Sequence, residues 1–125
     1  MKLCDNTSLN GFYTDSIILH NNCQLRFYGI IEGDIEINES CEVYAYGVIV
    51  GNILVNDKAK FYLYGKLVGD LIVSEEATAE LLGEMEGDIY ENSGRIELYG
   101  SLTTEATLPR NLIMHMDCRI NGRSF

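Results

Sequence analysis

Proline is nearly absent from this chain. The single one, Pro109, comes late, so no stretch reads as a Pro-rich linker or a disordered tail. No run of apolar residues approaches the length of a membrane span. The opening Met1-Lys2-Leu3-Cys4-Asp5 lacks the apolar core of a signal peptide, which sets a cytoplasmic location as the expectation. Basic residues are scarce, 9 against 19 acidic ones, giving a net charge of −10. That balance excludes nucleic acid as a partner, because phosphate binding needs a basic surface. It suits a basic protein partner, and it also suits plain solubility.

Chemistry-bearing patterns are equally sparse. Cys4, Cys23, Cys41 and Cys118 form no C-x-x-C pair and no His/Cys spacing for zinc. The only histidines are His20 and His115, with no long inserted loop between repeats to build a pocket around them. There is no phosphate-binding glycine loop, no interpretable Ser/His/Asp grouping and no threonine grid of the ice-binding kind. The expectation is a protein without enzymatic activity, cofactor or metal.

What the chain has is glycine at a fixed period. Gly11, Gly29, Gly47, Gly65 and Gly83 are eighteen apart, and Gly33, Gly51, Gly69 and Gly87 repeat the interval four residues later. Fixed-period self-similarity is the mark of a repeat architecture. The copies read YGIIEGDIEINESCEVYA, YGVIVGNILVNDKAKFYL, YGKLVGDLIVSEEATAEL and LGEMEGDIYENSGRIEL, the last one residue short. A beat of six runs inside the eighteen, from Tyr13, Leu19, Leu25 and Ile31 to Met85. It meets Glu91 at the short copy and resumes at Ile96, Leu102, Leu108, Met114 and Ile120. A small or aliphatic residue stands two positions before most of these, so each step is apolar-x-apolar, the alternation of a short strand with one buried face. No window sustains helical spacing.

Three short strands per eighteen residues predict an all-β, single-domain triangular β-solenoid of about six to seven coils, each paired in parallel with its neighbours about 4.8 Å away. The expected boundaries are an N-terminal tail over 1–8, solenoid over 9–120 and a C-terminal tail over 121–125. Glycines belong beside the corners. Asp34, Asn52, Asp70 and Asp88 follow the second glycine series and suit corners through side-chain bonds to backbone. Their alignment along the rod is also the kind of oxygen ladder a Ca²⁺ ion uses, but the calcium-binding repeat signature is absent. Cys23 and Cys41 fall on the same inward position of adjacent coils and read as reduced core thiols, at a spacing that also permits a disulfide. Cys118 takes the place of a corner glycine in the last coil.

Outward positions carry the candidate sites. Tyr28, Tyr44, Tyr46, Tyr62, Tyr64 and Tyr99 fall on one side of the rod, where tyrosine ladders stabilise stacked coils and also make a protein-binding face. Ile18, Glu36, Leu54, Ile72 and Tyr90 make a second, mostly apolar ladder. With Val48, Val50 and Val68 on the third side, it suggests surface that another chain covers. The ends offer unpaired strand edges, and Ile120 and Phe125 mark the expected self-assembly end.

The units YGIIEGDIEI, YGVIVGNILV, YGKLVGDLIV and LGEMEGDIYE resemble the G-x-[apolar]-x-G-[DN]-I unit of bactofilins. The resemblance covers nearly the whole chain. It implies a triangular, right-handed β-helix of a bacterial cytoskeletal family that polymerises end to end without a nucleotide. The departures are the near-absence of tails, the tyrosines before the glycines and the acidity. The same hexad rhythm is also similar to that of hexapeptide acyltransferases, whose activity needs a histidine near a trimer interface. Two functions follow as expectations. One is a self-assembling scaffold whose partner is itself. The other is a small acidic binding protein, such as an immunity protein neutralising a basic toxin through its tyrosine face.

Overall fold

The computed structural model describes residues 1–74, 76–91 and 94–124; Phe125 and the side chain of Glu91, both singled out in the sequence, lie outside the described residues. The chain is an all-β solenoid of about six turns. The first coil holds β1 (Lys2–Leu3), β2 (Thr7–Leu9) and β3 (Phe12–Tyr13); the second β4 (Ile17–Leu19), β5 (Gln24–Phe27) and β6 (Ile30–Glu32). The third holds β7 (Ile35–Ile37), β8 (Glu42–Ala45) and β9 (Val48–Val50); the fourth β10 (Ile53–Val55), β11 (Lys60–Leu63) and β12 (Lys66–Val68). The fifth holds β13 (Leu71–Val73), β14 (Thr78–Leu81) and β15 (Glu84–Glu86); the sixth β16 (Ile89–Glu91), β17 (Arg95–Leu98) and β18 (Ser101–Thr103). A partial last coil supplies β19 (Leu112–Met114) and β20 (Arg119–Ile120), followed by β21 (Arg123–Ser124). No described helix is long and apolar enough to cross a membrane.

The strands stack into three sheets. Sheet A runs β1-β4-β7-β10-β13-β16, sheet B runs β2-β5-β8-β11-β14-β17-β19, and sheet C runs β3-β6-β9-β12-β15-β18-β20-β21. All pairings are parallel except the last, β20 with β21. The register offset is eighteen through the regular coils, as in Ile53↔Leu71, and falls to seventeen where Ala79 meets Ile96. The missing residue of the short copy is thus absorbed at one corner and the beat is restored in the next strand.

The core is a stack of apolar side chains with no buried polar residue among the described ones. The five inner strands of sheet B, β5, β8, β11, β14 and β17, bury two positions each, and their sizes compensate between coils. Phe27 lies in register with Ala45, and Phe61 with Ala79, so a ring fills the space that a methyl leaves in the next coil. The position of Phe27 and its equivalents is inward, which the hexad beat does not mark.

Three kinds of corner close each turn. Between sheets A and B the chain makes a two-residue left-handed turn, with Glu39–Ser40 (φ 51° and 61°) and Asp57–Lys58 (φ 52° and 63°) closed by Cys41 N–H to Asn38 O and Ala59 N–H to Asn56 O. Between B and C stands the Tyr-Gly column, and between C and A the Gly-Asx column. A Cβ at Gly65 would overlap the carbonyl oxygen of Gly47 in the coil below, and one at Gly69 that of Gly51. Cys118 continues the first column in the last coil, where Arg119 pairs with Ser101 and Arg119 N–H bonds to Gly100 O. Asp34, Asn52 and Asp70 each accept, through Oδ1, the backbone amide of the next Asx residue up the rod at 2.9, 3.0 and 3.0 Å. That is the corner role their sequence positions suggest.

Both expected tails belong to the sheets. Lys2–Leu3 pair with Ile18–Leu19, and Thr7–Leu9 with Leu25–Phe27, so the solenoid begins at residue 2 rather than 9. The corner between β1 and β2 is two residues shorter than in the next coil (offset 16 at Leu3↔Leu19, 18 at Thr7↔Leu25), which takes β1 out of step with the hexad while β2 and β3 keep it. At the other end, Asn121 and Gly122 take positive φ (52° and 79°) and turn the chain back, so that Arg123 pairs with Ile120 in an antiparallel hairpin.

Candidate functional site

The six tyrosines singled out in the sequence form two columns and one outlier. Tyr44 and Tyr62 lie on the flat of sheet B, in register, with rings stacked at 4.9 Å and 10°. Arg26 precedes them in the column and places its guanidinium 5.6 Å from the Tyr44 ring centre, within cation–π range. Tyr28, Tyr46 and Tyr64 sit at the corner instead, stacked at 5.1 and 4.8 Å with planes 6° and 8° apart. Tyr99 belongs to the corner column but is cut off from Tyr64 by Leu82. It stacks on His115 at 3.9 Å. The cause is local: each residue repeats its parent at the coil offset, so identical side chains superpose along the rod.

The two columns differ in exposure and in acidity. The corner rings are 50%, 43% and 42% exposed, while Tyr44 and Tyr62 are half-buried. Burial is the first cause that raises both flat-face phenols above the ordinary value. For Tyr44 the Glu42 carboxylate follows, to which its hydroxyl donates at 3.2 Å. Tyr62 is pushed up to about 12, by burial and then by Glu80 and its tyrosine and glutamate neighbours. The Tyr44–Tyr62 pair therefore reads as structural stacking, and the corner column as the accessible one.

The corner column does not end at sheet B. Across the glycine strip, the outer face of sheet C continues it with Phe12, Ile30 and Val48 in register, and Val50 beside them. Phe12 is 59% exposed. Phe12 and Ile30 escape the sequence reading because their hexad neighbours Tyr13 and Ile31 carry the beat. The signal was the pair of adjacent apolar residues, of which only one can point inward. An open groove of about 510 Å³ follows this corner, with Tyr46, Tyr64 and Leu82 on one wall, Val48, Lys66, Glu84 and Ser101 on the other, and glycine backbone as its floor. The ladder on sheet A lines a smaller groove of about 380 Å³ with Ile18, Glu36, Leu54 and Ile72, all half-buried.

The two ends are unlike. Ile120, expected at an open end, is 5% exposed and is bordered on its outer side by the antiparallel β21, which becomes the outer strand of sheet C. The loop over 104–111 follows where the next strand of sheet A would stand, and Thr104 Oγ1 caps the Asx ladder by donating to Asp88 at 2.8 Å. β19 is the outer strand of sheet B, beside the exposed Ile113, Met114 and Met116. A polar cluster fixes the base of that strand: Glu97 accepts from His115 Nε2 at 2.9 Å, Arg95 at 3.2 Å and the Tyr99 hydroxyl at 3.3 Å, which together hold its carboxyl below the usual range, His115 first. At the N-terminal end β1, β2 and β3 are all edge strands, and Leu3, Leu9 and Tyr13 only partly cover the core.

The thiols are free. Cys23 and Cys41 are buried with sulfurs 3.7 Å apart, and burial followed by the Cys41 neighbour pushes Cys23 up to about 11, far from a reactive thiolate. His20 and His115 stand at opposite ends of the rod, near Cys4 (3.2 Å) and Glu97 respectively. Among the described residues no group of histidines, cysteines or carboxylates is arranged to hold a metal. Comparison of the chain with family models, with curated proteins and with solved structures finds no match.

Proposed function

We propose that this protein is a non-enzymatic structural scaffold that assembles end to end through its first coil, a bactofilin-like role. The observation that carries the reading is the contrast between the ends. Amides of outward residues point to the preceding coil, as Glu42 N–H to Cys23 O at 3.0 Å and Tyr46 N–H to Phe27 O at 2.8 Å. In the first coil the equivalent amides, those of Asn6, Ser8 and Asn10, have no coil beneath them. Three adjacent open edges over a half-covered core make a site for another strand layer. At the C-terminal end sheet C closes on the reversed strand β21, and the loop over 104–111 stands in place of a further strand of sheet A, so no complete parallel coil faces outward there. Continuing all three sheets head to tail is therefore disfavoured, and pairing of two first coils is favoured. Two rods joined this way reach about 60 Å, at about 4.8 Å per turn. Sedimentation velocity tests it. Leu9→Lys and Ser8→Pro, which charge and block the edge, are expected to leave monomers where the wild type associates. Equal association of wild type and variants would overturn the proposal.

A second reading has its own observation. The exposed corner strip of Tyr28, Tyr46, Tyr64, Phe12 and Ile30 is larger than isolated surface apolar residues explain. It favours a small acidic binding protein that works through its side, and it makes a different demand: tyrosine-to-alanine changes at the corner abolish capture of a partner and leave end-to-end association unchanged.

A further inference from the structure

We infer that the corner groove is the docking site for an extended cationic segment of a partner protein, lying along the rod axis with apolar and arginine side chains alternating. The inference rests on the side-face reading and names the site and the chemistry of its occupant. The groove runs past four stacked corners, Gly47, Gly65, Gly83 and Gly100. Three steps of about 4.8 Å make about 14 Å, the length of about four extended residues. Its glycine floor lets a backbone approach closely, and its tyrosine wall presents ring edges and hydroxyls at 4.8 Å intervals.

Charge decides the occupant. Glu84 lines the groove and has no ion-pair partner among the described residues. The cation that lines it, Lys66, is already 3.6 Å from Glu86. A second copy of this chain would bring another net charge of −10 against these carboxylates, so self-docking here is opposed while a cationic segment is attracted. Apolar side chains of the segment would lie on Val48 and Leu82, and its guanidinium groups would donate to the Tyr46 and Tyr64 hydroxyl oxygens and to Glu84.

The test is fluorescence anisotropy of a labelled decapeptide of alternating arginine and leucine, titrated with the full chain, beside a glutamate–leucine peptide of the same length. The variants are Tyr46→Ala with Tyr64→Ala, and Glu84→Gln; the second is near-isosteric and keeps the test valid if the first impairs folding. Ile72→Thr, in the groove of sheet A, is the control. Expected are binding of the arginine peptide alone, weakening of about tenfold or more in the tyrosine pair and about threefold or more in Glu84→Gln, and no change in the control. Loss with the tyrosine pair but not with Glu84→Gln, or equal binding of the acidic peptide, would overturn the cationic chemistry and leave the side-face reading standing. Binding indifferent to both changes, or none up to about 1 mM, where interaction is only about 4 kcal/mol, would overturn the proposal and remove the support for a side-face partner. Self-association that depends on Tyr46 and Tyr64 would put a second copy in the groove and overturn it as well.

Discussion

Gly65 stands where any side chain would occupy the volume of the Gly47 carbonyl oxygen. Backbone cannot yield there without separating two coils, so Gly65→Ala is expected to cost about 3 kcal/mol or more, read as a fall in the thermal midpoint. Lys58 is the opposite case. It holds a left-handed φ of 63° without being glycine, and its 3.9 Å contact to Glu76 is solvent-exposed. Lys58→Gly should relieve backbone strain and raise stability by about 1 kcal/mol, a midpoint shift of about 4 °C. Tyr62 sets the alkaline limit. Its phenol rises from 10.0 unfolded to about 12 folded, so the folded state favours the neutral form. That contribution is full below pH 10 and is lost as pH climbs from 10 toward 12. An absorbance titration of tyrosinate should find Tyr62 among the last to ionise, and Tyr62→Phe should flatten the decline of stability over that window. Glycine spacing exposed the close approaches in advance, because only glycine satisfies them. The strained turns stay hidden, since Glu39-Ser40 and Asp57-Lys58 lack the glycine that usually marks a left-handed pair.

Strands were legible wherever the six-residue beat was clean, and the errors fall where corner length changes. Residues 1–8 read as a tail because the A–B corner of the first coil is short by two residues and takes Leu3 off the series, and because β2 carries Thr7 where the beat calls for an apolar residue. The closing hairpin leaves little trace in the sequence although Asn121-Gly122 is a strong hairpin turn, because β21 is only two residues long and carries no alternating pattern. That hairpin makes β21, rather than the strand of Ile120, the outer strand of sheet C. Gly122→Val, which disfavours φ of 79°, should free β21 and accelerate hydrogen exchange at Arg119 and Ile120 without changing exchange in the middle coils. Unchanged protection would mean the hairpin does not guard this edge. The tyrosine face was found from outward spacing, but its division into a buried flat column and an exposed corner column depends on where each strand stops, which periodicity does not give.

At the scale of the molecule, the rod pairs a continuous apolar core with a surface charge of −10. Like-charged rods repel along their length and at their ends, and salt screens that repulsion within about 10 Å at moderate ionic strength. Association through the first coil, driven by strand pairing and apolar contact, should therefore strengthen as salt rises, whereas docking of a cationic segment at the corner should weaken. The two interactions separate by salt as well as by site. The most direct test of the scaffold reading is the length of the particle itself, from small-angle scattering with negative-stain imaging of the untagged chain at near-physiological salt. Rods of about 60 Å that revert to single units of about 30 Å in Leu9→Lys are the expected result. A uniform population of about 30 Å at high concentration, identical for wild type and variant, would contradict it.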